Sequence, residues 1–208
     1  MKGKDLMRVL LMKHRYPEWV VRYCVRLKRH YPFEFVQENS RFSKLGDFTY
    51  RTRTQPYVIT LNKDLNKDQF LITLVHEIAH RVTAEKFGRR VQPHGNEWKR
   101  QFQRLMKPLL KNEVFRPSVL KPLEKHLENP KSTTFADPIL IKALNSRMQK
   151  GHFFLSDIGI GRAFSFNGRY FKKLRTQRTN VLCREIGTRS NYLVPATAIV
   201  QRVRARLR

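Results

Sequence analysis

Residues 71–80 read LITLVHEIAH and place two histidines and a glutamate within an apolar run. In an α-helix, side chains four residues apart differ by only ~40° around the axis, so His76 and His80 point the same way, one turn apart. Two neutral imidazoles in this arrangement suit a single zinc ion. Glu77 lies at the rim of the same face, where its carboxylate reaches a water on the metal rather than the metal itself. The alternative, two core histidines that happen to be four residues apart, is disfavoured by the apolar helical context.

The residues on either side predict where this helix begins and ends. Asn66 precedes it as an N-cap, with Gln69 at the position that completes a capping box. Gly88 follows as a stop signal, so the pattern predicts a helix over about residues 68–86. A second helix is predicted to begin within residues 93–96.

A catalytic zinc usually has three protein ligands and one water, so a third ligand is expected. Five histidines remain in the sequence: His14, His30, His94, His126 and His152. His94 is the favoured candidate, because Gly88 ends the first helix shortly before it and lets the chain fold back toward His80. Glu97 stays open as an alternative, and His94 could also be a residue at a helix start that holds no metal. Glu85 is excluded because it lies ~140° around the helix from His80.

The rest of the chain predicts an α+β protein in three parts. Three short segments before the metal-bearing helix read as strands, at residues 33–37, 47–50 and 57–61. Residues 112–150 contain four prolines among short amphipathic pieces, and from residue 151 the pattern changes to short strands punctuated by glycine. We therefore expect a metal-binding domain at 1–111, a helical connector at 112–150 and a small all-β module at 151–208.

The charge predicts a polyanionic partner. The 208 residues include 43 Lys and Arg against 16 Asp and Glu, a net charge of +27, and residues 139–208 hold 15 of the basic side chains but only 2 acidic ones. Such a balance is typical of nucleic-acid binding. The candidate contacts are Arg162, Arg169, Lys172, Lys173, Arg175, Arg178 and Arg184. Aromatic residues between them could stack on unpaired bases, although alternating phenylalanines in strands are more often core.

Several classes of protein are excluded. No apolar run approaches the ~18 residues of a membrane-spanning helix, and no small-residue cleavage site follows the basic start. Cys24 and Cys183 are the two cysteines, so neither a disulfide framework nor a four-cysteine zinc site is expected. We expect a cytoplasmic protein, with association to the nucleoid as one option, and no membrane partner. The oligomeric state stays open.

Four segments in order along the chain resemble the SprT-like metallopeptidase domain, the family that includes the DNA–protein crosslink protease Spartan. They are LGDF at 45–48, ITLN at 59–62, FLITLVHEIAH at 70–80 and HGNEW at 94–98. The resemblance covers roughly residues 15–110. It implies a zincin-like domain, with a three-stranded sheet packed on the metal-bearing helices, and one Zn²⁺ per chain. By the same resemblance His76, His80 and His94 are the zinc ligands and Glu77 is the general base. Many members carry a cysteine zinc ribbon, which this chain lacks; residues 151–208 look instead like a β-rich extension of some bacterial relatives.

The resemblance implies a zinc-dependent metalloendopeptidase acting on DNA-associated or DNA-crosslinked proteins, with Glu77 as the base for a zinc-bound water. Its expected partners are DNA, single-stranded or mixed, and the proteins bound to it. A rival hypothesis is a nucleic-acid-binding protein whose zinc site is structural or vestigial. An intact Glu77 argues against it, because a structural site has no use for a base beside its ligands. A third hypothesis is a hydrolase acting on another bond. Tyr170 and Tyr192 are candidate oxyanion donors, or simply packed or surface residues.

Overall fold

The computed structural model describes residues 5–41, 44–132, 137–146 and 151–203. Backbone contacts divide the chain into two compact units, Met1–Leu140 and Ile141–Arg208. The described part of the predicted connector at 112–150 contains two α-helices, and the boundaries of the connector stay predictions. No helix in the described part of the chain is long and apolar enough to cross a membrane.

The first unit combines helices with a small sheet. In chain order its elements are α1 (Leu6–Lys13), α2 (Glu18–His30), β1 (Glu34–Glu38), β2 (Gly46–Thr49), β3 (Val58–Asn62), α3 (Lys67–Phe87), α4 (Asn96–Met106), a 3-10 turn (Lys107–Leu109) and α5 (Pro117–Glu128). A further helix, α6 (Pro138–Leu144), spans the boundary between the two units.

The three strands form one sheet in the order β1-β3-β2. β1 runs parallel to β3, with Glu34 opposite Val58, and β2 runs antiparallel to it, with Thr49 opposite Val58. β2 is therefore an edge strand. At its start a Cβ on Gly46 would come within 2.7 Å of Thr73 Cγ2 and 2.8 Å of Glu77 Oε1, so glycine is needed for this close approach to α3.

α3 is fixed at both ends by the residues that the sequence indicates. The Asn66 side chain accepts a hydrogen bond from the backbone N–H of Gln69 at 3.0 Å, and the Gln69 side chain accepts one from the N–H of Asn66 at 3.1 Å. Gly88, with φ of 72°, follows the last turn. In the first turn the buried carboxylate of Asp68 accepts a hydrogen bond from Arg116 Nε at 2.6 Å. The helix is buried on most of its circumference, as expected for a central core helix.

The second unit is an antiparallel sheet of six strands. They are β4 (His152–Phe154), β5 (Ala163–Phe166), β6 (Arg169–Gln177), β7 (Asn180–Glu185), β8 (Asn191–Pro195) and β9 (Ile199–Arg202), in the order β4-β9-β5-β6-β7-β8. Its core includes Phe164, Phe171, Val181, Val194 and Val200. The predicted α+β class, with a three-stranded sheet first and a β-rich region after it, is confirmed.

Candidate metal centre and basic face

Three histidine side chains converge on one point of the first unit. His76 and His80 extend from α3, and His94 lies in the turn between α3 and α4. The Nε2 atom of His94 is 3.1 Å from Nε2 of His76 and 2.9 Å from Nε2 of His80. In the described part of the chain these residues form a group whose ligand atoms all lie within 4.8 Å of one another. The structure thus brings together the three residues named from the sequence.

The chemistry of this donor set fits a metal ion. A neutral imidazole Nε2 carries either a proton or a lone pair, so the Nε2 atom of His94 can form a good hydrogen bond with only one of its two neighbours. A cation that accepts all three lone pairs removes the conflict. Tetrahedral zinc with Zn–N bonds of ~2.0–2.1 Å sets its ligand atoms ~3.3–3.4 Å apart. The two observed separations are a few tenths of an ångström shorter, which small rotations of the rings would relieve.

The three rings are held in the neutral form that metal binding needs. Burial lowers the pKa of His76 well below its usual value, with the neighbouring histidines adding to the effect. Burial and His94 together lower the pKa of His80 to about 3, and burial lowers the pKa of His94. Neutral nitrogen lone pairs are therefore available near pH 7.

Trp98 on α4 forms a wall behind all three rings. Its indole is fully buried, and its ring centroid lies 4.5 Å from that of His76, 4.7 Å from His94 and 5.3 Å from His80. Its Nε1 donates a hydrogen bond to the His76 carbonyl at 3.4 Å. A Cβ on Gly95 would lie 2.9 Å from the Gln92 carbonyl oxygen, which explains the glycine after His94. The left-handed backbone belongs to His94 itself, with φ of 61°.

Glu77 lies in the same cavity as the three histidines, a space of about 480 Å³. Its side chain is buried, with the residue 6% exposed. Burial, and secondarily the carboxylate of Asp47, raise the pKa of Glu77 to about 8. A cation held by the histidines would lower that pKa again by favouring the carboxylate. The arrangement sets a proton acceptor beside a potential metal site.

The edge strand β2 and the residues on either side of it supply cavity walls that the sequence analysis did not identify. Lys44, Phe48 and Tyr50 line the cavity. The Phe48 ring stacks on His80 at 6.2 Å between centroids with only 4° between the planes. Gly46, Phe48 and Tyr50 are two positions apart, and alternate residues of a strand face the same side. Because Gly46 lies against α3, this spacing is the signal that could have identified Phe48 and Tyr50 as lining residues.

The remaining candidate ligands lie outside this group. Glu97 is not among its members. His126 is buried and its Nδ1 lies 3.0 Å from a carboxylate oxygen of Asp137. His14 packs on Phe70, at 4.7 Å between ring centroids.

The basic residues predicted in the second unit fall into distinct environments. Lys172 on β6 lies directly opposite Arg184 on β7, and Arg175 lies opposite Leu182 on the same face. We call Lys172, Arg175 and Arg184, all exposed, the basic face. Arg162 and Arg178 are exposed and lie outside the strands.

Two of the predicted contacts are engaged within the protein. Lys173 is 3% exposed, and its ammonium donates hydrogen bonds to the carbonyls of Leu155 and Ser156 at 3.0 and 3.2 Å. Arg169 makes a two-pronged ion pair with Glu185, at 2.6 and 2.7 Å. Lys173 is not available to a phosphate, because it follows Phe171 by two positions and shares its core-facing side. Arg169 is partly exposed, but its guanidinium is already paired with a carboxylate.

The aromatic residues of this segment divide in the same way. Phe164 and Phe171 are buried in the core of the sheet. This agrees with the alternative given in the sequence analysis, that alternating phenylalanines belong to the core and do not stack on bases. Tyr170 is 50% exposed. Tyr192 packs edge-on against Phe171 at 5.7 Å, with the Arg169 guanidinium 4.7 Å from its ring centre. Tyr170 is therefore the aromatic side chain available beside the basic face.

The α+β fold of the first unit and its convergent histidines define a potential metal-binding domain of the H-E-x-x-H class. Residues 20–118 match the model of the SprT-like family. This match covers just under half of the chain and identifies residues 20–118 as an SprT-like domain.

The curated proteins that the chain resembles are SprT proteins of bacteria. It is 39% identical over 75 residues to Protein SprT of Vibrio atlanticus strain LGP32, covering 34% of this chain and 45% of that protein. It is 34% identical over 85 residues to Protein SprT of Serratia proteamaculans strain 568, covering 36% and 49%. The matches thus span less than half the length of these relatives. No solved structure gives a significant match.

Proposed function

We propose that this protein is a zinc-dependent endopeptidase of zincin-like fold that cleaves proteins associated with or crosslinked to DNA. The observation that carries the proposal is the placement of Glu77 in the same cavity as three convergent histidine Nε2 atoms. A structural zinc site needs ligands alone. This site also places a buried carboxyl group, that of Glu77, in the wall of the cavity that the histidines line. The match of residues 20–118 to the SprT-like family, whose members resemble metallopeptidases, supports the same reaction.

His76, His80 and His94 would hold the zinc, one ion per chain. When bound, zinc supplies Lewis-acid polarisation of a carbonyl and lowers the pKa of water toward 7. Glu77 acts as the general base: it takes the proton from the attacking water and returns it to the leaving amine nitrogen. Trp98 and α3 fix the imidazoles, so the reaction meets a rigid set of ligands.

The edge strand favours a peptide as substrate over other hydrolysable molecules. Among the described residues β2 pairs with β3 on one side only, and its residues Gly46 and Phe48 line the cavity. The free backbone N–H and C=O groups of such an edge can pair with an extended peptide. A peptide added to β2 would pass beside Glu77 and His80, where a scissile bond is needed.

The basic face supports the choice of DNA as partner. Like charges directly opposite each other on neighbouring strands destabilise a sheet, so the pair Lys172 and Arg184 is expected to have a ligand. Phosphates would neutralise it, and Tyr170 could stack on an unpaired base. Tethering protease and substrate to one strand raises their local concentration and gives selectivity to a protease of weak sequence preference. A DNA partner supports the proposal of a cytoplasmic location with access to chromosomal DNA.

The same basic face is also the observation behind the second candidate function, a nucleic-acid-binding protein with a structural zinc. The two functions separate in one experiment. Wild type, Glu77→Gln and the control Glu124→Gln, an exposed carboxyl on α5, are incubated with a DNA-binding protein, with and without single-stranded DNA. We expect DNA-stimulated cleavage by wild type and control, and none by Glu77→Gln at unchanged zinc content. Salt-sensitive DNA binding without Glu77-dependent cleavage would establish the second function instead.

A further inference from the structure

A groove of about 780 Å³ lies along α2, apart from the cavity of the metal centre. We call it the α2 groove. Its lining combines basic and aromatic side chains: Arg8, Trp19, Arg22, Tyr23, Arg26, Arg29 and Lys111, with Glu18 as the acidic member. All of these residues belong to the first unit.

The spacing of three arginines makes one charged stripe on α2. Arg22, Arg26 and Arg29 are at i, i+4 and i+7, and all three are exposed. At 1.5 Å rise per residue the stripe is roughly 10.5 Å long. A stripe of this length can contact roughly two or three successive phosphates of an extended single strand.

The positive charge of the groove is weakly neutralised within the protein. Glu18 pairs with Arg22 at 3.6 Å, but both side chains are largely exposed, so this contact contributes little. Among the residues that the structure describes, Arg8, Arg26, Arg29 and Lys111 have no recorded acidic partner within 4.0 Å. A solvated protein surface normally mixes both signs of charge more evenly than this lining, which has five basic residues and one acidic residue.

The two aromatic residues lie on the same face as the arginines. Trp19 and Tyr23 are one turn apart on α2, and both are partly exposed. The Lys111 ammonium is 4.7 Å from the Trp19 ring centre, and Trp19 Nε1 donates a hydrogen bond to Glu113 at 2.9 Å. Tyr23 donates a hydrogen bond from its hydroxyl to the Leu105 carbonyl at 2.9 Å. The polar atoms of both rings are thus held by the protein. Lys111 covers one face of Trp19, and Arg26 Cζ lies 6.0 Å from the Tyr23 ring centre, so a base would pack against the remaining exposed part of each ring.

We propose that the α2 groove is a binding site for a single nucleic-acid strand, separate from the basic face of the second unit. The arginine stripe binds successive phosphates, while Trp19 and Tyr23 pack against bases. Charge complementarity selects a polyanion, and the aromatic pair favours unpaired bases over an acidic peptide, which offers no flat rings to stack. The site does not depend on the proposed peptidase activity, so either can fail without the other.

The test measures binding of a fluorescein-labelled oligothymidylate to the full chain by anisotropy at several salt concentrations. The variant Arg22→Gln/Arg26→Gln/Arg29→Gln is compared with Arg53→Gln/Lys86→Gln/Lys121→Gln, which removes the same charge from exposed positions outside the groove. Each lost phosphate contact on a single strand lowers the slope of log K against log salt by about 0.7, so the groove variant should lose about 2 units of slope and bind more weakly. Equal slopes and affinities in the two variants would overturn the proposal.

Tryptophan fluorescence gives a second readout. The chain has two tryptophans, and Trp98 is fully buried. We expect unlabelled oligothymidylate to quench emission in wild type but not in Trp19→Phe; quenching that persists in Trp19→Phe contradicts the proposal. If polyglutamate of equal charge competes as strongly as the unlabelled oligonucleotide, the occupant of the groove is an acidic protein and the proposal is overturned. Groove-dependent binding to phosphatidylserine vesicles, without groove-dependent oligonucleotide binding, would identify a membrane.

Discussion

The Nε2 atoms of His80 and His94 lie 2.9 Å apart, although 14 residues separate them along the chain. α3 ends at Gly88, and the chain turns back so that α4 packs alongside α3. His94 enters the site from this turn in a left-handed backbone conformation that few residues other than glycine adopt. The metal centre thus depends on the turn as much as on the helix.

His94→Asn should empty the metal centre while the fold persists. Asparagine tolerates a left-handed backbone better than most residues but has no imidazole. Zinc content measured after dialysis should fall from about one equivalent per chain to a small fraction of that. His30→Asn, a change at an exposed position of α2, is the control and should retain zinc. Full zinc in His94→Asn would show that the third ligand is another group.

Gly46→Ala should impair the site without removing its metal ligands. The added Cβ would lie 2.8 Å from Glu77 Oε1 and 2.7 Å from Thr73 Cγ2. We expect a loss of about 1–3 kcal/mol in the free energy of unfolding, measured with urea, because the added methyl overpacks the contact between β2 and α3. Peptidase activity should fall as well, since Glu77 must move. Gly187→Ala, where a Cβ meets nothing within 4 Å, should change neither property.

Arg116→Met should destabilise the first unit by about 2–3 kcal/mol. The change leaves the carboxylate of Asp68 buried without its 2.6 Å partner. The loss should be below the ~3–5 kcal/mol of a fully buried pair, because the Arg116 side chain is 25% exposed and solvent screens the pair. Adding Asp68→Asn to this variant removes the stranded charge and should recover part of the loss. If the loss in free energy of unfolding of the double variant equals the sum of the losses of the two single variants, this explanation is contradicted.

Glu185→Gln should make the second unit less sensitive to acid. The ion pair with Arg169, and next the hydrogen bond from Thr188, lower the pKa of Glu185 from 4.5 to about 2. Because the folded pKa lies below the unfolded one, the stabilising contribution is complete above pH 4.5 and is lost as the pH falls toward 2. Amide exchange of β6 and β7, followed by NMR across this range, measures the effect. The variant should be less stable than wild type at pH 7, and the difference should shrink on acidification; a constant difference would exclude the linkage.

The elements nearest the metal centre could be predicted closely because local chemistry specifies them. The strand predictions at 33–37, 47–50 and 57–61 agree within one residue with Glu34–Glu38, Gly46–Thr49 and Val58–Asn62. The helix predicted at 68–86 is Lys67–Phe87, with its capping box formed. Spacing alone places two histidines of an H-E-x-x-H motif on one helix face.

For the basic residues of the second unit, the sequence could not predict which side chains are exposed and which are buried or paired. Lys173 is buried because it shares the core-facing side of β6 with Phe171, and Arg169 is engaged because Glu185 lies on the neighbouring strand. The composition records their charge but not which side of the sheet each occupies. The strand register decides that, and it is set by contacts between distant parts of the chain.

The sequence by itself determined the α+β class, the histidine-bearing helix with its ends, the pair of histidines one turn apart on that helix and the high positive charge. Periodicity, capping and ligand spacing act over a few residues, so they can be recognised without coordinates. Only the tertiary structure decided that β2 walls the cavity, that Glu77 is buried beside Gly46, and that α2 presents an arginine stripe next to two aromatic rings. These features join side chains that are far apart in sequence, and the packing of the core selects which of them meet.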